Sequence, residues 1–135
     1  MGQQQLLLII LGVIVVGIAV AVGITMFQDN AVSANRDAVT NDLVNLASRA
    51  QQFYRRPTAL GGGGNSFSGI SADAAGLAKL TSKSTNANGT YSVYTAGSGT
   101  TVVLQGTGTE KGTNGSAISV RISVFADSTF VNQVN

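Results

Sequence analysis

The chain has 135 residues, enough for one ordinary domain, or for less than one once a membrane segment is set aside. It contains no cysteine and no histidine, which removes disulfides, thiol nucleophiles, imidazole bases and the common zinc and haem ligand sets. Eight basic residues against six acidic ones leave a net charge of +2, too balanced for a nucleic-acid footprint, so no nucleic-acid partner is expected.

No charged side chain occurs before Asp29. From Leu6 to Phe27 the chain is a 22-residue apolar run, interrupted only by Gly12, Gly17, Gly23 and Thr25. As a helix it is roughly 33 Å long, enough to cross a bilayer core. A cleaved signal peptide would need a basic stretch ahead of the run and a non-helical polar start behind it. Neither is present, so the segment reads as retained. Gly17 and Ala21, like Ala19 and Gly23, are four residues apart, which gives small faces where another helix can approach closely.

The helical signal then continues in amphipathic form. Val32, Val39, Leu43, Leu46, Ala50 and Phe53 fall on one stripe, with Arg36 filling the gap. Asn35, Asp37, Asp42, Asn45, Arg49, Gln52 and Arg55 are expected on the solvated faces. Pro57 ends the helix, and Arg55 and Arg56 place positive charge at its negative end. The expectation is one helix of about 50 residues, roughly 75–80 Å long. Its first part (1–28) is apolar all round, and its continuation (29–56) presents a stripe to a head formed by 57–135.

The head holds 13 of the 17 glycines. Gly61 to Asn65 reads as a flexible loop, because it lacks the Lys-Ser/Thr ending of a phosphate cradle. A short helix is predicted over Ala72 to Leu80, with Ser71 as its N-cap and Ile70, Ala74, Leu77 and Leu80 on its buried side. Strands are predicted at Tyr91–Tyr94, Thr101–Leu104, Ala117–Phe125 and Thr129–Val131, and hairpin loops at Ala96–Gly99 and Gly106–Gly115. In the third strand Ile118, Val120, Ile122 and Val124 alternate with polar residues, which marks one buried face. The helical stripe is the natural cover for that face, so the fold class is α+β, a long helix packed on a small antiparallel sheet. Asn88 and Asn114 begin sequons, and both are also Asn-Gly turn dipeptides, the reading preferred here. The head's acidic residues are scattered singly, so no enzyme activity, cofactor or metal site is expected.

The layout resembles type IV pilins and type II secretion pseudopilins, which join an apolar N-terminal helix, its amphipathic continuation and a head of antiparallel strands. Met1-Gly2-Gln3-Gln4-Gln5-Leu6-Leu7-Leu8 looks like the start of a mature pilin, and Phe27-Gln28-Asp29 is similar to the stretch with which many pilins leave the membrane. Gln5 stands where members of that family carry a glutamate. The family's mid-helix proline is absent, and no basic leader ending in glycine precedes Met1. The chain is then expected either in its processed form or exported uncleaved.

The resemblance implies a major structural subunit of an extracellular filament. The subunit would wait in the inner membrane and then polymerise with itself, with help from a pilus assembly machinery. Gln3, Gln4, Gln5, Leu6, Leu7, Leu8, Gly12, Gly17, Ala21, Gly23 and Phe27 would form the filament core. The three glutamines would supply neutral acceptors for a buried amine where relatives use a carboxylate, so that Gln5→Leu impairs assembly and Gln5→Glu is tolerated. The alternatives are a minor pilin or pseudopilin of a secretion or DNA-uptake machine, and a single-pass anchored module whose β head binds a partner.

Overall fold

The computed structural model describes residues 2–135; Met1, the hydrophobic first residue in the resemblance above, lies outside them. The first element, α1, runs without interruption from Gly2 to Arg55. At about 1.5 Å per residue it is about 80 Å long. A 3₁₀ turn over Thr58–Leu60 follows, then a short helix α2 (Ala74–Ala78) and four strands. These are β1 (Gly89–Thr95), β2 (Thr101–Lys111), β3 (Ala117–Phe125) and β4 (Thr129–Gln133). They form one antiparallel meander in the order β1-β2-β3-β4. The fold is α+β, a long helix laid on a small sheet.

The helix covers one face of the sheet. Val39, Leu43, Leu46, Ala47, Ala50 and Phe53 are buried on α1 against Tyr91, Val93, Val102, Leu104, Ile118, Val120, Ile122 and Val124. The even-numbered residues of β3 all point inward, as their alternation with polar residues predicts. Val32 is only half-buried at the edge of this core, and Ala47 joins it from a position outside the expected stripe.

Glycine decides how closely helix and sheet approach. A Cβ on Gly106 would lie 2.6 Å from Val39 Cγ1, and one on Gly108 would lie 2.2 Å from Asn35 Oδ1. Both residues belong to β2 and not to a hairpin loop, so the loop expected over Gly106–Gly115 shrinks to residues 112–116. Glycine weakens a strand in isolation, but here it is the only side chain that fits beneath the helix.

The stretch Gly61–Asn65 is likewise not a free loop. It folds back over the end of α1, where the amides of Gly63, Gly64 and Asn65 donate to the carbonyls of Phe53, Arg56 and Tyr54 at 2.8, 2.9 and 2.7 Å. The last carbonyls of a helix need such partners, and this turn supplies them. A Cβ on Gly63 would meet Ser66 O at 1.9 Å, which explains why the turn takes glycine there.

The short helix starts later than predicted. Asp73, not Ser71, is the N-cap of α2, accepting from the Gly76 amide at 2.8 Å, while the Ser71 hydroxyl donates to the same Asp73 oxygen at 2.6 Å. Ionised oxygen is the stronger acceptor, so the cap moves two residues along. Ala74 is therefore exposed, whereas Ile70, Leu77 and Leu80 are buried as expected.

Candidate assembly surface

The first half of α1 has nothing packed on it. Every large apolar side chain from Leu6 to Phe27 is exposed, from 52% at Val22 to 74% at Phe27. Leu6, Leu7 and Leu8 begin this surface, and Gln3, Gln4 and Gln5 lie exposed in the first turns before it. A Cβ added to Gly12, Gly17 or Gly23 meets nothing within 4 Å, so no contact within the subunit accounts for these glycines. The segment's lone hydroxyl, Thr25 Oγ1, donates to the Ala21 carbonyl at 3.0 Å. With its backbone paired inside the helix, the segment presents almost nothing polar and is long and apolar enough to cross a membrane.

The second half carries the head. Val39, Leu43, Leu46, Ala50 and Phe53 are buried as the stripe predicts, and Arg36, in the gap, donates from Nη2 to the Asn135 carbonyl at 3.2 Å. Two residues expected on the solvated side are instead drawn to the sheet. The Asn35 amide donates to the Asn88 carbonyl at 2.8 Å, and its oxygen accepts from the Thr109 and Glu110 amides at 3.1 and 3.2 Å. Asp42 Oδ2 accepts from the Asn86 and Asn88 side-chain amides at 2.9 and 3.0 Å and from the Tyr91 hydroxyl. Single-helix periodicity cannot find these partners, because all of them lie 44 to 75 residues further along the chain.

Burial pushes the Asp42 carboxyl up, but the hydrogen bonds from Asn88, Tyr91 and Asn86 together outweigh it and hold the carboxyl below its ordinary value. Burial and then Asp42 itself raise the Tyr91 phenol. A carboxyl with a lowered folded pKa adds stability that is present above its unfolded pKa of about 3.9 and is lost as the pH falls through the folded value. The docking of head on helix should therefore weaken below about pH 4 and be insensitive to pH near neutrality. In acid titrations of the unfolding midpoint, Asp42→Asn should flatten this slope. Asp73, also lowered by the Ser71 hydroxyl and the Gly76 amide, should leave a residue of it.

The sequon residues separate. Asn88 is half-buried with its amide committed to Asp42, whereas Asn114 is exposed in the β2–β3 turn, where its oxygen accepts from the Ser116 amide at 2.9 Å. Asn114 takes the expected turn, with Gly115 in the left-handed region, whereas Gly89 is the first residue of β1 and has no positive φ, so Asn88-Gly89 does not form the Asn-Gly turn expected of it. Phe67, which no periodic pattern marks, is fully buried with its ring 4.7 Å from that of Tyr54. Among the described residues, no three His, Cys, Asp or Glu side chains gather where they could hold a metal ion.

No family model, curated protein or solved structure matches this chain.

Proposed function

We propose that the protein is the structural subunit of an extracellular helical filament of type IV pilus type, polymerising through its N-terminal helix. The observation that carries this reading is the continuity of α1. One uninterrupted helix joins an apolar segment, exposed on every side, to a stretch that is itself part of the head's core. A helix apolar all round has to be covered by lipid or protein. A simple anchor would be served by a flexible linker, whereas a continuous helix fixes the head relative to a segment that packs in a bundle of its own copies.

If packing hides about 100 Å² on each of about 20 side chains, burial is worth roughly 50 kcal/mol gross against water. Against lipid, which is already apolar, the net is far smaller and comes from helix packing. Leaving the membrane thus calls for an energy-driven assembly machine.

Negative-stain microscopy of a sheared-cell fraction tests the reading. Thin filaments that carry this chain support it; a chain found only as single copies in the membrane favours the anchored-module alternative. A second test uses Gly17. Because a side chain there meets nothing within the subunit, Gly17→Ile should insert in the membrane as wild type does and lower filament yield several-fold at equal membrane abundance.

A further inference from the structure

The chain's charges are sorted along α1. In the part of the helix beyond the apolar segment, Asp29, Asp37 and Asp42 come first and Arg49, Arg55 and Arg56 last, with Arg36 alone out of order. Asp42 is used by the head, but Asp37 is exposed. At the far end, Arg49, Arg56 and Lys79 line a cleft of about 300 Å³ with Gln52, Phe53, Gly61 and Leu80, and its lining contains no carboxylate. Arg49 donates to the Leu80 carbonyl at 3.2 Å, and Lys79 donates to the Gly69 carbonyl with its ammonium 5.9 Å from the centre of the Phe53 ring. Arg49 and Lys79 are held in place by these contacts, Arg56 lines the cleft beside them, and none of the three has a negative partner in the cleft.

We infer that this cleft receives Asp37 of a second copy of the chain, an inference that rests on the filament reading above. Copies inserted in one membrane all point the same way. Side by side in register, Asp37 of one copy lies 12 to 19 residues along the axis from the basic cleft of the next, so the opposite charges do not meet. Displaced along the axis by 12 to 19 residues, the interval from Asp37 to Arg49 and Arg56, they bring opposite charges together. That displacement is about 18–29 Å at 1.5 Å per residue.

The two patches also point in different directions. At 3.6 residues per turn, Asp37 and Arg49 lie about 120° apart round the helix. A pair of unlike patches facing different neighbours makes a head-to-tail contact, which repeats indefinitely, whereas a two-fold dimer needs one self-complementary patch. The displacement also sets the apolar segment of the advanced copy beside the exposed back of α1, where Ser33, Ala34 and Ser48 are small and Val44 is apolar.

A carbodiimide, which joins a carboxylate to an amine with no spacer, tests the contact on wild-type filaments. Lys79 lies beside Phe53, 16 residues and about 24 Å along the helix from Asp37, so a bond between Asp37 and Lys79 can form only between copies. The linked peptide should appear in filaments and be absent from detergent-dispersed subunits. In parallel, Asp37→Arg should lower filament yield at least tenfold while the head keeps its protease resistance, and adding Arg49→Glu with Arg56→Glu should restore it. Filaments without the link, normal yield from Asp37→Arg, or no rescue by the swapped pair would each overturn the contact and leave the filament standing. A wild-type chain that forms no filaments would overturn the filament reading itself.

Discussion

Leu43→Asp is expected to release the head from α1 while leaving the apolar segment in the membrane. Leu43 is fully buried at the middle of the helix stripe, among side chains of β2 and β3. An ionised carboxylate there has no partner, and its cost of several kcal/mol is comparable to the whole stability of a domain this size. Leu43→Met, which keeps the volume, should cost less than about 1.5 kcal/mol. Limited proteolysis of membranes containing the full chain reads both outcomes: the aspartate head should be degraded and the methionine head spared. Wild-type protease resistance in Leu43→Asp would show that the helix does not bury this residue in the cell.

Phe67→Ala should destabilise the head by about 3–5 kcal/mol, the usual cost of emptying a buried aromatic site. The ring packs beside Tyr54 near the end of α1, and the backbone of Phe67 donates to the Ser98 carbonyl at 3.0 Å. It thereby ties three regions together: the helix end, the Gly61–Ile70 turn and the β1–β2 connection. Urea unfolding of the full chain in detergent micelles should show a lowered midpoint, with Phe67→Leu falling between the variant and wild type. A change below about 1 kcal/mol would mean that the ring does not fill this site.

The two residues differ in how visible they are in the sequence. Leu43 belongs to a repeating 3–4 spacing that continues for twenty residues, so its burial follows from helix geometry alone. Phe67 stands among Ser, Gly and Asn with no period around it, and only the folded turn reveals its place. The same contrast runs through the rest of the chain. The third strand is legible because apolar and polar residues alternate strictly from Ile118 to Val124. The second is legible only as far as Leu104, because beyond that point glycine takes the inward positions and glycine ordinarily signals a turn. What makes Gly106 and Gly108 strand residues is the approach of Val39 and Asn35, separated from them by 67 and 73 residues. Asn35 and Asp42 were hidden for the same reason, since their polarity reads as solvation until distant donors are in place. The apolar segment is the most legible part of the candidate assembly surface, because its character depends on composition and not on any partner.

The packing of α1 on β2 and β3 also imposes an order of events during synthesis. Residues up to Phe53 are made early, but the strand that completes their cover ends near Val124, about 71 residues later. At ordinary translation rates of about 5–20 residues per second, this gap lasts on the order of 4–14 s. The apolar segment has been made before this interval begins and can enter the bilayer within it, while Val39, Leu43, Leu46 and Phe53 have nothing to pack against. The apolar segment, long and apolar enough to cross a membrane, is thus complete before the head can fold, and in that interval the second half of α1 is the part most open to proteases.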